Sequence, residues 1–331
     1  MSSLALPRVI FGTSGLGNLF NEPSYTSKRD TIAEVIKHSG NVAVFDSAGK
    51  YGAGLALECL GQSLKELGIS PSAVHISNKL GWKRVPLTSP EPTFEPGAWV
   101  NLKHDAIQTI SYDGIMECYH QGNELLGDYP ARLVSIHDPD EYLAAAASAQ
   151  DRAKRLNDIL EGYRALKDLK QKGEVGSIGI GSKDPRVIDE ISKLVKLDWA
   201  MFACSLTPYT HQPHVVELIE RLGREQVQIL NSAVFNSGFL TGGNYYNYQL
   251  VTPTTHPELF KWREAFFALC KKHNADPAAV CVQFSFRFPA VTSIALNTTS
   301  PSRVAGNIAL ATAQISDELW KELMQAGLTA V

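Results

Sequence analysis

Short apolar runs rich in valine and isoleucine alternate along this chain with segments whose apolar residues return every three or four positions. The runs Val9–Thr13, Val42–Asp46, Val74–Lys79, Leu133–His137, Ser177–Gly181, Ala200–Cys204, Val227–Asn231 and Val291–Leu296 have the length and composition of strands. Between them Leu57, Leu60, Leu64 and Leu67 keep a helical repeat, as do Leu156, Ile159, Leu160 and Tyr163. Val187, Ile188, Ile191 and Leu194 repeat in the same way, and so do Val215, Leu218, Ile219 and Leu222. Strands that are apolar at nearly every position suit a parallel sheet covered on both faces. Eight such strand–helix units, with no Pro/Gly-rich linker between halves, predict an α/β fold. The expected form is a closed (β/α)8 TIM barrel, one domain over residues 1–331, rather than a doubly wound sheet.

Two connections exceed ordinary strand-to-helix loops. One runs from about Lys83 to Ala106 and carries Pro86, Pro90, Pro92, Pro96 and Trp99; the other, about Val234 to His256, carries Tyr245, Tyr246 and Tyr248. Both follow strands, so in a barrel both are expected to hang over the C-terminal face, where such folds keep their chemistry.

Composition narrows the function classes. The 331 residues are 44% hydrophobic and 20% charged, proportions of a globular protein with a substantial core. A net charge of −3 without a basic run argues against nucleic acid or acidic membranes as partners. The five cysteines (Cys59, Cys118, Cys204, Cys270, Cys281) are scattered with no C-x-x-C spacing, so neither a disulfide framework nor a metal site is expected; Cys118 and Cys204 read as core. His211 and His214 have metal-like spacing but read as a surface helix start. Met-Ser-Ser-Leu-Ala-Leu-Pro lacks the basic start and apolar core of a signal peptide, and no apolar run approaches the ~20 residues of a membrane span. A cytoplasmic monomer or homodimer is expected, in which the sequon Asn297-Thr298-Thr299 is accidental.

Four polar residues fall at strand ends in this register. Asp46 ends the second strand, Tyr51 lies in the loop after it, Lys79 ends the third and His137 the fourth. Singly, each has a duller explanation: a helix cap, packing, a solvated strand end, a satisfied loop histidine. Together they make a chemical unit. A free phenol has a pKa near ~10 and exchanges protons poorly at neutral pH. A neighbouring ammonium is expected to lower that value, and a carboxylate to hold the ammonium. A neutral imidazole nearby orients a carbonyl oxygen or relays the proton. No side chain supplies hydride, so a nicotinamide cofactor is implied.

Over essentially its whole length the chain resembles the aldo-keto reductase family. F-G-T-S-G-L-G at 11–17 is similar to that family's opening strand and turn, and Asp46, Tyr51, Lys79 and His137 match its catalytic tetrad. L-K-D-L-K-Q-K-G-E-V-G-S-I-G-I-G-S at 166–182 and S-P-S-R-V-A-G-N at 300–307 resemble its helix-to-strand signature and last cofactor loop. Y-D-G-I at 112–115, the H-D-P-D run at 137–140 and F-N-S-G-F-L-T-G-G at 235–243 resemble the sugar 1-dehydrogenase branch, which acts at C1 of L-fucose, D-threo-aldoses or L-galactose and includes pyridoxal 4-dehydrogenase.

The resemblance implies NAD or NADP lying across the barrel mouth without a Rossmann fold. It assigns to the cofactor Gly12, Thr13, Ser14, Asp46, Ser182, Ser232, Asn236, Ser237, Gly238, Leu240, Gly242, Asn297, Thr298, Ser300, Arg303 and Asn307. Backbone N–H groups after the seventh strand are expected to cradle the pyrophosphate, and Ser300–Arg303 to open a helix whose N-terminus attracts phosphate. Three positions depart from the pattern. Gly181-Ser182 stands where many members have Ser-Asn to hold the nicotinamide amide. The tyrosine that stacks on the nicotinamide has no counterpart placed in Ala-Cys-Ser-Leu-Thr. Asn297 replaces a lysine common in NADP-specific members, which leans toward NAD or dual use.

The expectation is therefore an NAD(P)-dependent oxidation of a small sugar at C1, aldose to lactone, with Tyr51 as general acid/base. Tyr51, Trp82 and His137 are expected to face the substrate. Alternatives within enzymes are a general NADPH-dependent aldehyde or ketone reductase and a pyridoxal dehydrogenase. Outside enzymes, a nucleotide-binding redox-sensing subunit would keep the same cofactor loops.

Overall fold

The structure, a computed structural model, describes residues 6–331. The opening five residues, part of the stretch that argued against a signal peptide, lie outside it. In chain order the strands are β1 (Val9–Gly12), β2 (Ala43–Ala48), β3 (Val74–Leu80), β4 (Trp82–Pro86), β5 (His104–Gln108), β6 (Leu133–His137), β7 (Ser177–Ser182), β8 (Trp199–Ala203), β9 (Gln228–Ser232), β10 (Tyr245–Tyr246), β11 (Gln249–Leu250) and β12 (Val291–Leu296). The α-helices are α1 (Tyr25–His38), α2 (Leu55–Glu66), α3 (Tyr112–Leu126), α4 (Pro139–Ala144), α5 (Ala149–Gln171), α6 (Pro185–Ser192), α7 (Pro213–Arg224), α8 (Pro257–Lys272), α9 (Pro277–Ser285), α10 (Val304–Ala309) and α11 (Asp317–Gln325).

Eight strands close a parallel barrel in the cyclic order β1-β2-β3-β6-β7-β8-β9-β12, so all eight sequence-predicted strands are barrel strands. Their ends differ from expectation by a few residues. β2 runs on to Ala48 because Ser47 and Ala48 still pair with Asn78 and Lys79, which puts Asp46 inside the strand rather than at its end. Helix starts follow local chemistry: the hydroxyls of Ser24, Ser111, Ser148 and Ser316 accept from the backbone of α1, α3, α5 and α11. Prolines open α6 to α9 where a missing N–H costs nothing.

Alternation along the strands sorts their side chains into two layers. Phe45, Ile76, Val134, Ile136, Ile180 and Phe202 face the helices in the main core. Ile10, Val44, Leu133, Trp199, Met201 and Leu230 pack together in a second cluster inside the barrel. Trp199 fills that lumen against the bare backbone of Gly179, where any Cβ would collide with the indole.

Both long connections have structure that the proline content and short repeats hid. Residues 82–108 hold an antiparallel hairpin, β4 on β5, and the second connection holds the two-residue hairpin β10–β11. An isolated bridge joins Leu19 to Trp99, tying the first connection to the loop after β1. Among the described residues no helix is long and apolar enough to cross a membrane.

Candidate active site

The period of two that puts Val44 and Leu133 inside the barrel puts Asp46 and His137 inside as well, nearer the C-terminal end. Register links Gly12 with Asp46, Ala48 with Lys79, Lys79 with Ser135 and His137 with Gly181. Neighbouring strands therefore deliver a carboxylate, an ammonium and an imidazole to one mouth. Tyr51 reaches them from a tight turn: Gly52 has φ +62, and a Cβ on it would collide with the Gly17 carbonyl.

Asp46 and Lys79 form a buried ion pair, Nζ to Oδ2 2.5 Å, both residues at most 3% exposed. Lys79 Nζ also donates to Ser47 O (3.2 Å), and Ser77 Oγ donates to Asp46 Oδ1 (3.1 Å). These bonds offset the desolvation that makes an isolated buried charge costly; removing either partner of such a pair typically costs about 3–5 kcal/mol. The Lys79 ammonium stands 4.7 Å from the centre of the Tyr51 ring. The His137 ring meets Tyr51 edge-on at 5.6 Å, with an interplanar angle of 84°. His137 Nδ1 is buried without a hydrogen-bond partner.

Burial holds the His137 pKa well below its usual value. Asp138 pulls the other way, but the charges of Lys79, Lys50 and Lys183 reinforce burial, so the imidazole is neutral at physiological pH. The Tyr51 phenol is pushed up, not down as its Lys79 neighbour suggested. Burial is the main cause, followed by the negative charges of Asp46 and Asp138, with Lys50 acting against them. The ammonium of Lys79, engaged by Asp46, does not offset that burial, because the pair offers the phenol little net positive charge.

A second set of charges at this mouth escaped the sequence reading. Lys50 is 2% exposed and lies within 3.0 Å of carboxylate oxygens of Glu95, Asp138 and Glu141. Lys183 joins the same group through Glu141 (2.5 Å) and Asp138 (3.7 Å). Trp99 packs on Tyr51 at 6.0 Å, and Trp82, expected near substrate, lies under Lys50 with its indole N–H buried and unpaired. The one signal available in the sequence was a lysine directly before Tyr51; its partners lie in the β4–β5 loop and at the start of α4, far away in sequence.

The residues expected to hold a cofactor ring the same mouth, with different roles. Ser14 accepts from the Asn297 amide (2.8 Å), closing the β1 and β12 loops together, and Gly12 lies beside Asn297. Thr13 is fully buried and its hydroxyl donates to the Asp46 carbonyl, so it braces β2 instead of presenting a ligand group. Ser182 is buried and exchanges hydrogen bonds with the Asp184 backbone (3.2 Å each). Ser232 donates to Phe202 O (3.2 Å). After β9, the backbone N–H groups of Asn236, Gly238, Leu240 and Gly242 bond to the carbonyls of Ala233, Phe235 and Phe239. Four of the donors expected to cradle a pyrophosphate thus bond within the loop's own turns, which run through positive φ at Asn236, Ser237, Gly238 and Gly242. Leu240 is core. The Ser237 hydroxyl accepts from Tyr248 N (2.9 Å). Thr298 Oγ1 accepts from Ser300 N, and Pro301–Arg303 form a 3-10 turn leading into α10, leaving Arg303 exposed and Asn307 half-buried.

Polar atoms left over at this face fit a long polar ligand. Ser205 Oγ after β8, Asn236 Oδ1 after β9, Asp140 Oδ1 in α4 and His137 Nδ1 are all buried and unpaired. Arg303 makes no ion pair among the described residues. The backbone at Gly238 has open space where a side chain would stand. Elsewhere, His211 is tied to Thr207 O (3.0 Å) and accepts from Ala330 N (2.9 Å), and no group of three metal-ligating side chains occurs among the described residues.

Comparison with known proteins bears on the family and the fold. The profile of the aldo/keto reductase family matches residues 8–327. Pyridoxal 4-dehydrogenase of Microbacterium luteolum is 25% identical over 99% of this chain and 96% of its own length. D-threo-aldose 1-dehydrogenase of a Pseudomonas species is 26% identical over the same shares. An aldo-keto reductase of Bacillus halodurans, solved in a holo form, superposes with a TM-score of 0.70 at 18% identity, covering 99% of this chain and 95% of that one.

Proposed function

This chain belongs to the aldo/keto reductase family of oxidoreductases, and on that premise we propose that it exchanges hydride between a nicotinamide cofactor and C1 of a small free sugar. The observation that carries the reading is the meeting of Lys79 and His137 about Tyr51, at 4.7 and 5.6 Å, inside a barrel mouth rimmed by orphaned polar atoms.

A bound nicotinamide, NAD or NADP, supplies the hydride acceptor for oxidation and the donor for reduction. Ser14, Ser182, Ser205, Asn236, Asn297 and Arg303, at the rim, would hold the dinucleotide. Tyr51 handles the proton. In oxidation the C1 hydroxyl proton passes to the Tyr51 phenolate as the C1 hydrogen leaves with its electron pair, and the ring-closed sugar becomes a lactone. In reduction Tyr51 donates that proton to the carbonyl oxygen. Neutral His137 offers a hydrogen bond that orients the reacting oxygen, and Asp46 fixes Lys79 beneath the phenol ring. With its proton held firmly, Tyr51 is better suited at neutral pH to the reductive direction.

A second reading is favoured by the clustered aromatic rings of half-buried Trp82 and buried Phe94 and Trp99, which pack in sequence toward Tyr51. They suit a flat aromatic aldehyde or alcohol such as pyridoxal, the substrate in the name of one relative. Initial rates with L-fucose, D-arabinose, pyridoxal and a simple aldehyde, scored for NADH and NADPH, separate the two. A Tyr51→Phe variant is expected to bind nucleotide normally and lose about 10³-fold in kcat; unchanged turnover would overturn the mechanism.

A further inference from the structure

Charges from four parts of the chain meet at one atom beside the candidate site. Lys50 Nζ lies 2.8 Å from Glu95 Oε1, 3.0 Å from Asp138 Oδ2 and 2.7 Å from Glu141 Oε2, and 4.9 Å from the centre of a Trp82 ring. Glu95 comes from the loop between β4 and β5, Asp138 follows His137, and Glu141 lies in α4. The other oxygen of Glu95, Oε2, accepts the indole N–H of Trp99 at 2.8 Å, and the Trp99 ring packs on Tyr51. Glu95 holds a left-handed backbone, φ +43, a conformation that persists in a non-glycine residue when its surroundings impose it.

We propose that Lys50 is a positioning residue for Tyr51: through Glu95 it pins the β4–β5 loop to the barrel mouth, seats Trp99 as a wall of the substrate pocket, and offsets the carboxylates crowded about the phenol. This rests on the oxidoreductase reading above. Around Tyr51 stand Asp46 and Lys79 from β2 and β3, His137 and Asp138 at the end of β6, Glu95 and Trp99 from the β4–β5 loop, and Lys183 and Tyr248 beyond them. Lys79 is bonded to Asp46, which leaves Lys50, aided by Lys183, as the cation set against Asp138, Glu95 and Glu141. Without Lys50 the charges of Asp138 and Glu95 act on the phenol with Lys183 alone set against the cluster, and the phenolate becomes harder to form.

The test compares Lys50→Met, Lys50→Arg and Glu95→Gln with the wild type. Each is measured for nucleotide affinity by tryptophan quenching, for KM and the pH profile of substrate oxidation, and for hydrogen exchange across residues 93–101. Lys50→Met is expected to raise KM about tenfold, to move the acidic limb of oxidation to higher pH, and to speed exchange in that segment, with nucleotide affinity within about twofold. Lys50→Arg restores all three. Glu95→Gln raises KM and exchange but moves the limb to lower pH, having removed a carboxylate, and it decides the matter if Lys50→Met does not fold. Wild-type KM and exchange in Lys50→Met, or an Arg variant no better than Met, would overturn the proposal. A wild type that oxidises or reduces none of the four substrates sinks the functional reading instead, and exchange alone then decides whether Lys50 pins the loop.

Discussion

At Tyr51 the side chains that place the phenol also hold its proton. Burial and the charges of Asp46 and Asp138 raise its pKa above the ordinary 10.0. Oxidation needs the phenolate, a minor form at every pH below that value, so its kcat is expected to climb steadily from pH 7 to 10. Reduction uses the neutral phenol and is expected to stay flat over the same span. Profiles in both directions check this; an oxidation rate that levels off near pH 7 would show that the phenol titrates low. The residue-level reading of the sequence was uneven for a physical reason. Asp46, Lys79 and His137 were legible because each falls at the end of an apolar run, and a parallel barrel gathers its strand ends at one mouth. The direction of the Tyr51 shift was not, because it follows first from how deeply the folded chain buries the phenol, and then from Asp46 and from Asp138, a residue distant in sequence.

At the level of elements, the Tyr51 turn and the loop after β1 touch backbone to backbone. Gly52 combines φ +62 with a Gly17 carbonyl where its Cβ would stand, and a Cβ on Gly17 would lie 2.7 Å from the Tyr51 carbonyl carbon. Gly52→Ala is therefore expected to lose about 1–3 kcal/mol of stability, read as a lower denaturant midpoint, and to raise KM by displacing Tyr51. An alanine at Gly127, which also has positive φ but open space around it, serves as the control, with a smaller loss and unchanged KM. The hairpins β4–β5 and β10–β11 were hidden from the sequence because each is a separate two-stranded sheet outside the barrel. Pro86, Pro90, Pro92 and Pro96 broke any strand pattern in the first, and strands of two residues carry no period in the second.

Taken whole, the mouth gathers Asp46, Glu95, Asp138 and Glu141 against Lys50, Lys79 and Lys183. An excess of carboxylate at this mouth disfavours anions. A free aldose or pyridoxal is expected to exceed its phosphate ester in kcat/KM by about tenfold or more, and Glu95→Gln to narrow that gap; equal rates with the esters would contradict it. The barrel itself was readable along the chain, since eight apolar runs separated by helical repeats report a parallel sheet covered on both faces, and the polar residues at their ends report what lies at its mouth. What needed the folded molecule was every contact made across the mouth. Lys50 finds Asp138 and Glu141 at separations of 88 and 91 residues, and the N–H groups after β9 turn back on their own loop. Periodicity is a property of neighbours in sequence, whereas ion pairing and loop closure depend on which distant segments the closed barrel brings together.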